Sequence, residues 1–218
     1  MTAEDKMSLN NNTPRGRFIV FEGIDGAGKT TQMNLLASRL ESEGRRVYTT
    51  AEPTVSLTGG MLRDALAGIS DKTSCEMAAM FVLDRIFHNV NRVNGIEKML
   101  SDGFDVICDR YYYSSMAYQG SFTDMEWVAR MNLDCPEIRR PDVCIFLDLL
   151  PEQSLERISN GARAFTEIYE TKEKLTAVRN SFYRAFDIVK DTDNVVKINA
   201  YDTIEAVADE IYAEVTKI

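Results

Sequence analysis

A chain of 218 residues, 44% of them apolar, is long enough for one sizeable core and short for two independent domains. Its 25 basic and 34 acidic residues leave a formal charge of −9, which argues against a general nucleic-acid binder, because phosphate backbones call for net or clustered positive charge. A small phosphorylated ligand stays open, since a local cradle can overcome an acidic average.

The opening MTAEDKMSLNNNTP is polar and acidic and lacks the apolar stretch of a signal peptide, so residues 1–14 read as a flexible extension and 15–218 as a single domain. Arg17 to Glu22 (RFIVFE) follows as an apolar, β-branched and aromatic run of strand length. Next comes FEGIDGAGKTT, in which Gly23 to Thr30 has the spacing GxxxxGK(S/T). In that pattern successive backbone N–H groups can wrap phosphate oxygens, because glycine tolerates backbone angles that other residues resist. A helix is expected over Thr30 to Glu43, with Met33, Leu36, Ala37 and Leu40 on its buried face and Gly44 as its stop. The order strand, loop, helix aims the helix N-terminus and its partial positive charge at the phosphates.

Further strands are expected at Arg46 to Thr50, Phe104 to Asp109, Val143 to Leu149 and Asn194 to Ile198, separated by helical patterns. The last helix should start near Asp202, where Asp202 and Glu205 have capping-box spacing, and bury Ile204, Val207, Ile211 and Val215. Near-continuous apolar strands alternating with helices predict an α/β fold: a three-layer α/β/α sandwich with a five-stranded parallel sheet. Ligands bind such sheets at the carboxyl ends of the strands, so the glycine loop, Glu52 and Asp109 should converge on one cleft. No apolar run approaches the roughly 20 residues needed to span a bilayer. The four cysteines have no CxxC spacing, and Cys108 and Cys144 sit in apolar runs. A cytoplasmic protein with buried free thiols and no membrane partner is therefore expected.

A phosphate cradle serves kinases, GTPases and motor ATPases alike, and the chain has no (N/T)KxD motif of the kind that switch GTPases use to read guanine. The run CDRYYYSSMAYQG, Cys108 to Gly120, sets an acid and an arginine at a strand end. Asp109 could hold Mg²⁺ through water together with Thr30, and Arg110 could grip a second phosphate. A helix over Ser74 to Val93 carries Ala79, Val82, Leu83, Ile86, Val90 and Val93 as a core stripe at helical spacing. On its other face lie Met77, Phe81, Arg85 and His88, which suit either a stacked base with a nearby cation or a second packing surface such as a dimer interface. His88, the single histidine, reads as a hydrogen-bonding helix residue. Between Glu152 and Arg184, Ser159-Asn160-Gly161 interrupts a polar helical pattern. That break fits either a solvated face or a flap, around 157–171, that carries Arg157 and Arg163 over the phosphates.

Taken together, FEGIDGAGKTTQ, the EP of TAEPT, the DR and His of FVLDRIFH, CDRYYYSSMAYQG, FLDLLPEQSLERI and ARAFTEIYE make the chain resemble the thymidylate kinase family, over nearly all of residues 17 to 215. The resemblance is to an archaeal-type variant. It implies a P-loop nucleoside monophosphate kinase fold, Mg²⁺, ATP as phosphoryl donor, dTMP as acceptor and a homodimer. Gly23, Ile24, Asp25, Gly26, Ala27, Gly28, Lys29, Thr30 and Thr31 would form the nucleotide loop, with Lys29 bridging the β and γ phosphates, Thr30 on Mg²⁺ and Asp25 meeting the acceptor 3′-hydroxyl. Phe81 would stack on thymine, and Arg85, Arg110, Glu52 and Pro53 would serve the dTMP side. Ser114 and Tyr118 would line the base and sugar pocket, and Tyr169 would pack near the deoxyribose. Gly26 stands where some members place an arginine, so the flap, with Arg163 the best match, would supply the catalytic cation. Ala51 replaces an acceptor-binding arginine that many relatives carry, with Arg63 a possible substitute. The rival readings are another nucleoside or nucleoside-monophosphate kinase and a non-catalytic nucleotide-binding switch.

Overall fold

The computed structural model describes residues 15–160 and 171–218; Arg163, Tyr169 and the 1–14 extension lie outside it. Five parallel strands form one sheet in the order β2-β3-β1-β4-β5: β1 (Phe18–Glu22), β2 (Arg46–Ala51), β3 (Phe104–Asp109), β4 (Val143–Asp148) and β5 (Val195–Asn199). The helices are α1 (Lys29–Ser42), α2 (Leu57–Leu66), α3 (Ser74–Val90), α4 (Ile96–Ser101), α5 (Tyr112–Tyr118), α6 (Met125–Leu133), α7 (Pro151–Asn160), α8 (Lys172–Val189) and α9 (Ile204–Val215).

Side chains alternate across the sheet, so each strand feeds two cores. On one face Ile19, Phe21, Ile107, Ile145 and Ile198 pack with Met33, Leu36 and Leu40 of α1 and with Val207, Ile211 and Val215 of α9. On the other, Phe18, Val20, Val106, Cys108, Cys144 and Phe146 meet Tyr112, Tyr113 and Met116 of α5 and Leu175, Phe182 and Phe186 of α8. The three-layer sandwich and its parallel sheet are therefore as the apolar strand runs require, and both expected thiols are buried and free.

Two expectations fail on α3 and α9. The apolar stripe assigned to the core on α3 divides: Val82 and Ile86 pack half-buried against the core, whereas Leu83 is 55% and Val90 44% exposed, Ala79 is exposed too, and Val93, 82% exposed, lies beyond the helix, which ends at Val90. Within α3 the buried positions are Ala78, Asp84, Arg85, His88 and Asn89. Each buried polar side chain has partners, which offsets the cost of burying it. Helix α9 is capped by Thr203, whose hydroxyl accepts from the Ala206 N–H, one residue beyond the expected Asp202, and Ile204 is 54% exposed rather than buried.

Candidate active site

Strand connections run to opposite sides of β1, so the loop after β1 opens into the crevice at the carboxyl edge of the sheet. A cleft of about 710 Å³ lies there, lined by Asp25 to Gln32, Glu52, Pro53, Phe81, Arg85, Asp109, Arg110, Ser114, Tyr118 and Arg157. The glycine loop, the end of β2 and the end of β3 converge as expected; in register, Asp109 of β3 faces Phe21 of β1 and Ala51 of β2.

At the loop end, Gly28 caps α1 in the left-handed conformation (φ 94°) with no side-chain hydrogen bond, so the first N–H groups of the helix are free to bind an anion. Lys29 donates from Nζ to the carbonyls of Gly23 (3.1 Å) and Ile24 (3.4 Å). Burial, and then Arg110, pull its ammonium down to about 8, against the opposing pull of Asp109, Asp25 and Glu22. Gly26 has φ 77°, and a Cβ there would stand 3.0 Å from the Ser154 carbonyl oxygen of α7. A side chain at this point would be strained by the backbone angle and would require α7 to give way by a few tenths of an ångström. Ser154 Oγ in turn donates to the Asp25 carbonyl at 2.5 Å, tying α7 to the loop. From the last turn of α7, Arg157 donates to the Ala200 carbonyl at 2.7 Å, and its Nη1 stands 3.8 Å from where a Cβ on Gly28 would be.

Arg110 turns the chain from β3 into α5 with φ 66°, a rare backbone conformation for a non-glycine residue. Its guanidinium pairs with Asp25 and donates to Ser114 Oγ (3.1 Å) and Tyr118 Oη (3.4 Å). Asp109 lines the cleft with a buried Oδ1 that has no hydrogen-bond partner among the described residues. Among the described residues no cluster of three metal-ligating side chains exists. A lone orphaned carboxylate oxygen beside a phosphate loop fits Mg²⁺, which keeps most of its waters and takes one or two protein oxygens plus substrate phosphates.

The acceptor end is built on a buried ion pair. Arg85 donates from Nε to Glu52 Oε2 at 2.8 Å, and the other Glu52 oxygen faces His88 Nδ1 at 3.0 Å. His88 Nε2 is 2.8 Å from Thr50 Oγ1, so both ring nitrogens are engaged in hydrogen bonds. Asp84 accepts from the N–H and hydroxyl of Thr54 and from the hydroxyls of Ser56 and Thr58, fixing the segment after Pro53. Arg63 donates to the carbonyls of Thr54 and Pro53 and is not part of the cleft wall.

Sequence reasoning did not single out Glu22, which is fully buried and accepts from the N–H groups of Tyr111 (2.8 Å) and Ser114 (3.0 Å) and from Ser114 Oγ (2.6 Å). Its place as the last residue of a strand entering a phosphate loop was the available signal. Burial pushes its carboxyl up from an ordinary 4.5 to about 7, against the opposing effects of Arg110, Ser114 and Tyr111. Between those values the folded chain holds a proton that the unfolded chain has released, so stability from this group is complete below 4.5 and falls as pH rises through about 7. The stability of the parent relative to Glu22→Gln should drop by on the order of 3 kcal/mol across that window. Urea unfolding at several pH values measures it, and parallel profiles for the two proteins would contradict the assignment.

The family model for thymidylate kinase matches residues 21–211. The chain belongs to the thymidylate kinase family. It is 40% identical over 207 residues to the probable thymidylate kinase of Pyrococcus horikoshii, covering 91% of this chain and 95% of that one. It is 37% identical to the probable thymidylate kinase of Methanosphaera stadtmanae (92% and 97% covered) and 34% identical to the thymidylate kinase of Desulfotalea psychrophila (95% and 98%). The five-stranded parallel sheet flanked by helices, with the phosphate loop after β1, is the P-loop nucleoside monophosphate kinase arrangement of that family. No described helix is long and apolar enough to cross a membrane.

Proposed function

We infer that this chain transfers the γ-phosphoryl group of ATP to dTMP, giving dTDP and ADP. The observation that carries this reading is a single cleft joining the phosphate loop to a pocket walled by Phe81, Arg85, Arg110, Ser114 and Tyr118. Donor and acceptor can then meet in line away from bulk water, and positioning with electrostatic stabilisation supplies nearly all of the catalysis of phosphoryl transfer.

Lys29 and the free N–H groups at the start of α1 hold the donor phosphates. Thr30 and Asp109 are the residues that would hold Mg²⁺, which neutralises charge on the phosphates when bound. Arg110 exchanges part of its pairing with Asp25 for the acceptor phosphate, and Asp25 takes the 3′-hydroxyl. Phe81 stacks on the base, with Arg85 beside it and Tyr169 near the deoxyribose. Stacking of a base on an aromatic side chain is worth roughly 1–3 kcal/mol, so Phe81→Ala should raise the KM for dTMP about tenfold or more and leave that for ATP nearly unchanged. Equal effects on both substrates would make Phe81 a packing residue.

The same reading includes a homodimer, supported by the outward stripe of Leu83, Phe87 and Val90 on α3, whose aligned exposure suits a partner helix. Leu83→Asp should convert a dimer to monomer in sedimentation equilibrium; a monomeric parent would remove this part. A cytoplasmic location accords with the four free cysteines.

A further inference from the structure

We propose that Asn132 is a positioning residue that locks the Arg85 guanidinium and so sets the preference for an acceptor base with a carbonyl oxygen opposite it. The inference rests on Arg85 facing the acceptor base. Arg85 is 1% exposed and lies at the cleft wall, stacked 5.1 Å over the Tyr111 ring. Its Nε and Nη2 engage Glu52, Nη2 also donates to Ser115 Oγ at 3.2 Å, and Nη1 donates to Asn132 Oδ1 at 2.5 Å. A guanidinium has five N–H bonds, so among the described residues one N–H on Nη1 is left for a ligand.

Asn132 therefore anchors the same nitrogen that carries the unmatched donor. It is fully buried on α6, and its Nδ2 donates to the Val128 carbonyl at 2.8 Å, which fixes which end of the amide faces Arg85. Without it the guanidinium is held only along its Glu52 and Ser115 side and can rock about that edge. A fixed N–H donates to a base carbonyl and opposes an amino group at the same place, because the mismatch leaves buried donors facing each other. Thymine and cytosine differ in this way at one ring position.

Steady-state kinetics with dTMP and dCMP at saturating Mg-ATP, alongside thermal melts, test the inference on Asn132→Leu, Asn132→Asp and Arg85→Met. Asn132→Leu is expected to raise the KM for dTMP about tenfold and to lower the dTMP over dCMP ratio of kcat/KM by a similar factor, with the KM for ATP unchanged. Asn132→Asp keeps the acceptor oxygen but loses the donor to Val128. It should recover most of that ratio despite a lower Tm, a separation that a merely structural role would not produce. If Asn132→Leu does not fold, Asn132→Ala is measured in its place against the same criteria. An unchanged ratio in the apolar variant, or a ratio that follows Tm across both variants, overturns the role of Asn132 while an effect of Arg85→Met preserves the acceptor pocket. An unchanged dTMP KM in Arg85→Met overturns both.

Discussion

Lys29→Ala is expected to abolish measurable turnover, a loss of at least about 10³ in kcat, and to melt close to the parent. The loop supplies one cation to the donor phosphates, so its removal leaves developing negative charge without a compact partner. The fold should survive, because among the described residues Nζ donates to the Gly23 and Ile24 carbonyls alone, at the cleft, where water can replace it. Burial already disfavours that ammonium, so deleting it relieves a desolvation cost. Near-parent kcat in this variant would show that the loop does not hold the reacting phosphates.

Arg163→Ala should lower kcat by about 10² with little change in the KM of either nucleotide, since a contact that matures as the phosphoryl group moves is felt in the transition state. The loop cannot supply that cation itself. Position 26 is a glycine at φ 77° close against the Ser154 carbonyl, so an arginine there would be strained and would require α7 to give way. Arg157 is tied to the Ala200 carbonyl beside the loop, and its presence is the reason for expecting less than the 10³–10⁵ that such an arginine can be worth. Steady-state kinetics on Arg163→Ala and Arg157→Ala decide this, and a fall of less than tenfold in both removes the catalytic arginine from the 157–171 segment.

The central strands β1, β3 and β4 were legible because they are buried on both faces and must read as apolar runs, while the edge strands β2 and β5 are only part-buried; Phe104–Asp109 was expected at its observed bounds, and the others lie within a residue. The phosphate loop was legible because its backbone geometry demands glycines at fixed offsets. The orientation of α3 was not. Periodicity assigns apolar residues to the core, yet Asp84, Arg85, His88 and Asn89 are buried because distant segments bring them partners, while Leu83 and Val90 are left outside. A sequence does not display those partners: Glu52 reaches Arg85 from the end of β2, and Asn132 from α6, where no motif marks it. Glu22 was passed over for a related reason, since a buried carboxylate in a strand looks like the boundary of a loop until Tyr111 and Ser114 are seen to donate to it.

The most direct measurement of the central claim is ADP formation from Mg-ATP by the purified protein with dTMP, dUMP, UMP, CMP and thymidine offered separately as acceptors. The account predicts the highest kcat/KM with dTMP, little activity with CMP, and none with thymidine, which lacks the phosphate that Arg110 is placed to hold. A higher kcat/KM with another acceptor, or no ADP formation with dTMP, would contradict it.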